Sequence, residues 1–596
     1  MLKCRSSLFF CLGAVASPLF AFTTVGPQVN CGFRTTQVNP IQLALDAGHT
    51  EIRLVGATSF NGSLIVNGTA DVSLRGGFAD CTQATNNVLP IAPQPSVLVA
   101  GASLAAGINL VSAPNRRRII TLQSIELRPN LEQSPTGPGI WVNGLLDARL
   151  ERSRVTGFNQ AGGNGGGVFL VDGRLIMTNS EISQNRAEKG GGVYCSSGEV
   201  RLDPASRLLL NRAETLNSNG DGGGAYLQNC VFESQGRVLP GTLGGTSGII
   251  GNQASVSGGG LYIAGGTARI MGGPFCSEVG GATCLPRLAI VGANSAQSGG
   301  GVYARNNAQV ELDFANVSAN TATFQGGGFY VEQSSIRFGG LGSVYPNYDR
   351  TQCTEGICEV MSGNRVRFAN ADAGTGGAIR AVNSSVTFAD VLLDDNTAAA
   401  SDVIDMQFGS GLMQQILVRN PDRVAAQGLI GEFRAAAVEI RRSTWVIEPA
   451  TSGLAAPKFQ LDDPDPQALI KIMSGSLVLN DTLLAGFGTE VTPLIKSAAV
   501  NLSGVCNAHF GATVDAALAQ ISIGITPGDV SGDGIYGPSP VSSLIDRCVG
   551  QNVLASARDI RGQPRRLALS GTSGATPMDI GALELQGELL FRNGFE

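Results

Sequence analysis

The chain has 596 residues, of which 81 are glycine, and charged residues make up only 15% of it. Its formal net charge is −6, and the arginine clusters at 116–118 and 561–566 are short and isolated, so no basic stripe is available to neutralise phosphates. The composition therefore excludes a nucleic-acid partner. No stretch after residue 21 is long and apolar enough to predict a membrane-spanning helix in the mature chain.

The first predicted element is an export signal over residues 1–21. Lys3 and Arg5 precede an apolar segment at 8–15, and Ala21 offers the small residue that a signal peptidase needs near its cleavage point. We therefore expect the mature chain to be exported.

The segment 22–100 is predicted to form an N-terminal cap and the first coils. Residues 41–47 have helical character and end at Gly48, and short β-prone runs begin at Glu51. Such a cap would cover the open end of a stack of strands and prevent pairing between the ends of two molecules.

The segment 101–515 is predicted to form the coils of a β-helix. Its dominant feature, from Gly165 to Ile379, is a glycine cluster followed by an aliphatic residue and, in most copies, an aromatic one. Seven copies predict a stacked solenoid. In the shortest copy, β-prone runs at 168–171, 174–177 and 181–183 are separated by turn residues, which is typical of a parallel β-helix. The first glycines of the copies are Gly165, Gly190, Gly222, Gly258, Gly299, Gly326 and Gly376.

An asparagine precedes most of these glycine clusters. Asparagine tolerates left-handed backbone angles, and its amide both donates and accepts, so equivalent asparagines in adjacent coils are predicted to bond in a ladder at one corner. The glycines are expected at the next corner, where a Cβ would collide with the neighbouring coil. The asparagines are Asn185, Asn211, Asn252, Asn294 and Asn320.

The aromatic position of the motif supplies the candidate ligand-binding residues. Neighbouring strands lie about 4.7–4.9 Å apart, so side chains at matching positions of successive coils would stand ring over ring. Two interpretations stay open, a purely structural ladder and an aromatic stripe that binds sugar rings. The residues are Tyr194, Tyr226, Tyr262, Tyr303 and Tyr330, with Phe169 and Ile379 at the two ends.

Acidic residues are the candidates for catalysis. Glycoside hydrolases need paired carboxylates, and polysaccharide lyases need an acidic calcium site with a basic group. Asp394 and Asp395 are such a pair, but with Asn396 they fit better as a turn equivalent to the asparagine corner. Only His49 and His509 are available for proton transfer. The sequence therefore favours a protein without catalytic residues.

Removal of the signal would leave ten cysteines, which fall in close pairs. An even number in an exported chain predicts disulfides, and we expect sequential pairing, although spacing alone leaves other connectivities open. A zinc site is disfavoured because CxxC pairs and nearby histidines are missing. The pairs are Cys31 with Cys81, Cys195 with Cys230, Cys276 with Cys284, Cys353 with Cys358, and Cys506 with Cys548.

The segment 516–589 is predicted to cap the C-terminal end of the solenoid. Within it Asp529, Ser531 and Asp533 imitate the start of a calcium-binding loop, but the closing acid is missing, so a polar turn is the competing interpretation. Calcium is the one cofactor that the sequence suggests. Residues 590–596 are interpreted either as a sorting tail or as a frayed terminus.

Several of these segments together resemble the choice-of-anchor Q proteins. The resemblance covers nearly the whole mature chain, and the coils also resemble the repeats of polymorphic outer membrane proteins. It implies an all-β protein that folds as a single-stranded right-handed parallel β-helix with caps and a C-terminal anchoring or sorting tail. The segments that carry it are 41–47, 74–81, the glycine-aromatic coils, Asp559-Ile560-Arg561-Gly562 and Asp579-Ile580-Gly581-Ala582-Leu583-Glu584.

The resemblance implies a location more than an activity. The expected location is the extracellular medium or the outer surface of a Gram-negative bacterium. Since the repeats supply extended area and no constellation supplies chemistry, we expect a non-catalytic surface protein that presents a long face for adhesion or glycan binding. A structural cell-envelope component and a polysaccharide lyase or hydrolase of the pectin-lyase-like fold are the alternatives. Expected partners are surface glycans or envelope components.

Overall fold

The structure is a computed structural model, and strands dominate it. Most strands belong to one 45-stranded sheet that pairs almost entirely in parallel, and a second sheet has seven strands. The chain therefore folds as a parallel β-solenoid. The structure describes residues 22–60, 63–90, 94–101, 106–112, 116–130, 136–214, 220–238, 248–276, 284–340, 353–367, 374–398, 403–420, 429–447, 468–487, 491–511, 513–531, 536–539, 542–544, 559–561 and 579–583.

Each coil contributes one strand to each of three stacks that run along the solenoid. In the shortest predicted copy the strands are Val168–Val171, Arg174–Thr178 and Glu181–Ser183, which confirms the sequence prediction almost residue for residue. Each pairs in register with its equivalent one coil later, as when Phe169 lies opposite Tyr194. Like positions of the repeat therefore lie over one another.

The first stack contains the strand that follows the glycine cluster in each repeat. Its members, in chain order, are Leu64–Val66, Ile108–Val111, Ile140–Asn143, Val168–Val171, Val193–Ser196, Ala225–Gln235, Leu261–Met271, Val302–Arg305, Phe329–Glu332, Ile379–Val382, Ile404–Gln407, Leu429–Arg434, Ala468–Ile472 and Thr492–Lys496.

The second stack follows the first within each coil, and the two long strands Ala225–Gln235 and Leu261–Met271 continue into it from the first stack. Its other members are Phe22–Gly26, Phe33–Arg34, Glu51–Val55, Val72–Phe78, Arg118–Gln123, Leu146–Glu151, Arg174–Thr178, Glu199–Leu202, Gln309–Asp313, Ser335–Gly339, Ser385–Ala389, Ser410–Gln414, Ala436–Ile447, Gly475–Gly486 and Asn501–Val505.

The third stack completes the coil, and the long strands Ala436–Ile447 and Gly475–Gly486 run into it from the second. Its other members are Ala57–Phe60, Ser96–Ala100, Ile125–Pro129, Arg154–Thr156, Glu181–Ser183, Arg207–Leu209, Gly248–Ile250, Cys284–Gly292, Ala315–Ser318, Glu359–Ser362, Val391–Asp394, Leu417–Asn420, Asn507–Phe510 and Ser522–Gly524.

Seven coils carry a fourth strand, which the sequence did not predict. These strands form a sheet of their own between the third stack and the glycine cluster, and we call it the short sheet. These strands have two to six residues, mostly polar or small, and no alternating apolar pattern, so sequence gives little signal for them. They are Asn159–Asn164, Arg186–Lys189, Arg212–Ala213, Gln253–Ala254, Ser295–Ser298, Thr321–Gln325 and Arg365–Val366.

The core fills the space inside the three stacks. Alternate side chains point inward, so Leu170, Leu175 and Ile182 of one coil are fully buried in a cluster that extends from Val25 to Leu518. Burying each such aliphatic side chain contributes about 1.5–3 kcal/mol relative to leaving it exposed. One continuous core thus holds the coils together.

In the part of the chain that the structure describes, three α-helices and one 3-10 helix lie outside the repeats. Pro40–Asp46 confirms the helix predicted at 41–47 and buries Ile41 and Ala44 in the core cluster. The sequence analysis did not predict the others, each of which is only three to six residues long. They are Cys81–Thr85, Ala516–Ile521 and the 3-10 helix Pro527–Asp529.

The predicted asparagine ladder is confirmed at the corner after the third stack. Asn252 is representative: its Nδ2 donates to the Leu208 carbonyl at 3.0 Å and to Asn294 Oδ1 at 3.1 Å. All members are buried. The ladder runs through Asn185, Asn211, Asn252, Asn294 and Asn320 and continues to Asn364, which the sequence analysis missed, and to Asn396, which it placed at an equivalent corner.

The glycine clusters form the next corner, as predicted. Gly258 has a φ of 66°, in the left-handed region. A Cβ on Gly259 would lie less than 3.0 Å from the backbone carbonyl oxygens of Gly300 and Ser295 in the next coil. The corner is therefore packed backbone against backbone, and only glycine fits there.

The predicted capping segment 516–589 divides into two parts in the region that the structure describes. Helix Ala516–Ile521 adds Leu518 to the main core. Residues 559–561 and 579–583 instead lie along the outer side of the third stack, where the Ala582 amide donates to Thr444 Oγ1 at 3.0 Å. The backbone amide of Ile560 donates to the carbonyl of Ala582 at 3.2 Å, so the two terminal motifs also hold each other.

Three of the predicted cysteine pairs are disulfides, with Cα–Cα distances of 5.3, 6.4 and 4.7 Å. The backbone places Cys276 opposite Cys284 in an antiparallel hairpin, and a disulfide there stays a prediction. Cys548 lies outside the described residues, so the pairing of Cys506 also stays a prediction. The three disulfides are Cys31–Cys81, Cys195–Cys230 and Cys353–Cys358.

Among the residues described above, no helix has the length and apolar character needed to cross a membrane.

Candidate functional site

The five predicted tyrosines form a continuous ladder on the outer side of the first stack. Neighbouring tyrosine ring centroids are 4.7–5.4 Å apart, and the ring planes differ by only 2–8°. Phe169 stacks on Tyr194 at 5.1 Å, and Trp141 covers Phe169 at 4.6 Å. The ladder therefore spans seven aromatic side chains.

Stacking leaves the tyrosine ring faces covered by one another. Although the side chains point away from the core, Tyr226 and Tyr262 keep only 8% and 5% of their surface exposed. A sugar stacks on an aromatic residue through the ring face, where the electron density is concentrated. The ladder can therefore offer a ligand its ring edges and hydroxyl groups, but not its faces.

Polar side chains accompany the ladder, which the sequence analysis did not foresee. Tyr194 Oη donates to Gln228 Oε1 at 3.3 Å, and Tyr303 Oη donates to Glu332 Oε2 at 3.1 Å. The positive charge of Arg305 near Tyr262 opposes the rise in the pKa of that phenol. Each of these polar residues follows a ladder tyrosine by two positions, on the same face of the same strand: Gln228, Arg305 and Glu332. A polar residue at that spacing is the sequence signal that could have predicted them.

The short sheet, together with residues such as Asp221 that bridge to it, supplies a second polar row beside the tyrosines. Lys189 Nζ lies 5.3 Å from the ring centroid of Tyr226, and Asp221 accepts a hydrogen bond from the Ser257 amide at 3.1 Å. Burial raises the pKa of Asp221, although Lys189 and Arg305 oppose the shift. The glycine corner, which has no side chains, separates this row from the ladder.

We expect the phenol groups of the ladder to ionise at a higher pH than those of exposed tyrosines. Burial, with Asp221 adding to it, raises the pKa of Tyr262 from 10.0 to about 12, and burial together with Glu332 raises the pKa of Tyr303. Because the folded pKa of Tyr262 lies above the unfolded one, this phenol adds stability that is complete below pH 10 and is lost as the pH rises through about 12.

An alkaline titration followed by phenolate absorbance tests this expectation. The difference between wild type and Tyr262→Phe should show one phenol that ionises near pH 12. Ionisation of that phenol near pH 10 while far-ultraviolet circular dichroism still shows the folded protein would contradict the buried ladder.

Beyond Tyr330 the same row continues with charged residues. Arg380 pairs in register with Tyr330, followed one coil at a time by Asp405, Glu432 and Lys471. The sequence analysis was wrong to place Ile379 at this end of the row, because Ile379 pairs with Phe329 and its side chain is buried in the core. Arg380 forms an ion pair with Asp405, and its charge opposes the rise in the pKa of Tyr330 that burial causes.

The two acids of this row, Asp405 and Glu432, are both buried. The side chain of Asp405 has no exposed surface, and burial followed by the repulsion of Glu432 raises its pKa against the opposing effect of Arg380. Glu432 Oε1 accepts from Arg434 Nη2 at 2.8 Å. Each acid therefore has an arginine partner, so the row carries little net charge.

The sequence candidates for catalysis are held in a structural network. Arg419 contacts Asp394 Oδ1 at 2.9 Å and Glu355 Oε1 at 2.9 Å, and these two acids raise the pKa of Arg419. Asp395 has a φ of 48° and lies at the turn before Asn396, which is a member of the asparagine ladder. Asp395 thus lies at the turn that the sequence analysis favoured, whereas Asp394 is the last residue of the strand before it.

The calcium-loop candidates are also engaged locally. Asp529 accepts from the backbone amides of Thr526 and Ser543, both at 2.9 Å, and these bonds lower its pKa to about 2. The amide of Ser531 donates to Gly537, and Asp533 lies outside the described residues. Within the described part of the chain, no three potential metal ligands come together.

Comparisons with family models, with curated proteins and with solved structures find no match to this chain. The class of protein is defined by its architecture: a parallel β-solenoid with an outer row that is aromatic over its first half and charged over its second.

Proposed function

We propose that this protein is an exported, non-catalytic β-helix that binds a linear glycan along its outer face. The observation that carries the proposal is the single row of outward side chains, in register from Trp141 to Lys471. A row with one position per coil suits a polymer that presents one similar unit after another, and repeat proteins commonly use such extended surfaces for binding.

The charges along the row favour a neutral ligand. An anionic polymer needs cations that are free to neutralise it, whereas the cations here lie beside acids. Arg380 forms an ion pair with Asp405, and Arg434 forms one with Glu432. The negative charge of Glu332 stabilises the positive charge of Arg305. Tyrosine hydroxyls, glutamine and these charge pairs together offer the donors and acceptors that sugar hydroxyls require.

We further propose that the helix is right-handed, that both ends are capped and that the chain belongs with the choice-of-anchor Q proteins. The first and third helices place Ile41 and Leu518 in the core, which supports a cap at each end. Right-handed crossing is the general preference for parallel strands. Three disulfides support export to an oxidising compartment, and the outer surface of a Gram-negative bacterium is the proposed location.

Binding to immobilised polysaccharides tests the function. The panel holds neutral glucan, mannan and galactan and the anionic polygalacturonate and alginate, and reducing ends and unsaturated products are followed to detect cleavage. We expect binding to a neutral polymer without cleavage. Binding to none of the five would contradict the proposal, and product release would favour the polysaccharide enzyme instead.

A double variant, Tyr262→Phe with Tyr303→Phe, should weaken binding about tenfold or more. The phenylalanine rings keep the stack, and the loss reflects hydroxyl groups whose hydrogen bonds are worth about 1 kcal/mol each. Tyr536→Phe is the matched control, since Tyr536 is buried outside the ladder. Unchanged binding by the double variant would show that the tyrosine hydroxyl groups do not contribute to the binding face.

A further inference from the structure

Phe408 is unlike every other residue at its corner of the coil. It follows strand Ile404–Gln407 of the first stack, and 58% of its surface is exposed, more than for any other described phenylalanine. Its φ is 54°, in the left-handed region. Bulky side chains rarely adopt that conformation, and holding one there costs about 1–2 kcal/mol.

The equivalent corners of other coils show what the fold itself requires. They also have positive φ values, but they carry small or polar residues, among which asparagine and aspartate tolerate this conformation best. A phenylalanine there adds both backbone strain and exposed apolar surface, and neither helps the coil to fold. The equivalents are Asp172, Ser197, Asn229, Asn306, Gln333, Asn383 and Ala435.

The ring of Phe408 also differs from the rings of the ladder. Each ladder tyrosine has another ring or a side chain against its faces, whereas no described ring packs on Phe408 and more than half of its surface is exposed. Gln407 lies on the same outward face of the strand as Asp405, which is a member of the row. Phe408 comes directly after Gln407 and therefore lies directly beyond the outward row. The backbone amide of Phe408 donates to the backbone carbonyl of Arg434 at 2.9 Å, which fixes the corner.

The surroundings of Phe408 are polar. The adjacent coils place exposed Asn383 on one side and exposed Ala435 on the other, and the hydroxyl groups of Ser410 and Ser385 lie 3.4 Å apart nearby. A protein-binding hot spot would be set in a larger apolar patch. One open ring among amide and hydroxyl groups matches a sugar, which has an apolar C–H face and hydroxyl groups around its edge.

We propose that Phe408 is the residue on which one sugar unit of the bound glycan stacks, with the Asn383 amide and the Ser385 and Ser410 hydroxyl groups beside the sugar hydroxyls. The positive C–H face of a neutral hexose lies on the negative face of the aromatic ring. This inference rests on the proposed function and adds to it the contact that the tyrosine ladder cannot supply, because the ladder has no free ring face.

Three variants separate a binding role from a structural one. Phe408→Asn should lose at least tenfold in affinity for the neutral polymer that wild type binds best in the panel, while its melting temperature stays equal or rises, since asparagine suits the corner. Phe408→Trp should keep the affinity. Leu210→Asn is the matched control, because Leu210 also has a positive φ, 54°, and is 49% exposed, but lies at a different corner.

The outcomes distinguish this inference from the function on which it rests. If wild type binds a neutral polymer and Phe408→Asn binds it equally well, the stacking role is wrong and the proposed function stands. If wild type binds none of the polymers, the proposed function is wrong, and the stacking role of Phe408 is wrong with it. If Leu210→Asn weakens binding as much as Phe408→Asn, the loss comes from the coil and not from the ring, and the inference is overturned.

Discussion

Replacing Gly259 by alanine is expected to lower the free energy of unfolding by about 3 kcal/mol or more. The new Cβ would lie less than 3.0 Å from the carbonyl oxygens of Gly300 and Ser295, and both are backbone atoms of the next coil. No flexible side chain can move aside. The coil must therefore separate from its neighbour, and the strand pairs on both sides weaken with it.

Urea unfolding of the purified protein measures the effect. Gly292→Ala is the matched control: it is also a buried glycine in this region, but its Cβ would find its nearest neighbour at 3.4 Å, so its unfolding midpoint should stay close to that of wild type. Equal midpoints for Gly259→Ala and wild type would mean that the coils at this corner are farther apart than the structure places them.

The middle of the solenoid could be predicted closely from sequence. The strands predicted at 168–171 and 181–183 occur at those residues, and the asparagine and tyrosine ladders follow from repetition alone. In a stack of in-register coils, each residue has its own equivalent as its neighbour, so one repeat defines the contacts of all the others.

Contacts between different parts of the repeat could not be predicted. The interactions of Arg305 with Tyr262 and of Arg380 with Tyr330 join residues of different chemistry in successive coils, so the repetition of one residue type does not mark them. The docking of 579–583 against Thr444 depends on a chain that leaves the repeat and returns to it. The same limit applies to Phe408, which is informative because it departs from the pattern at its corner.

Replacing Asn252 by alanine is expected to destabilise the protein by about 3–5 kcal/mol. The change removes an acceptor for the Nδ2 and backbone amide groups of Asn211 and a donor to the carbonyl of Leu208. Each buried group that is left without a partner costs about 1–3 kcal/mol. Urea unfolding measures the total, and amide hydrogen exchange should show faster exchange in the two coils that contact Asn252 than elsewhere.

Asn252→Asp separates the loss of the donor from the loss of the side chain. The carboxylate could still accept from Asn211, but it would face Asn294 Oδ1 and the Leu208 carbonyl, which are both acceptors. Its pKa would therefore be raised, and the variant should regain stability at acid pH and lose it as the pH rises through that pKa. Asn143→Ala, on the exposed side of a strand, should change stability by less than about 0.5 kcal/mol. If Asn252→Ala were as mild as this control, the ladder would be a consequence of coil stacking, and its hydrogen bonds would not be what holds the corner.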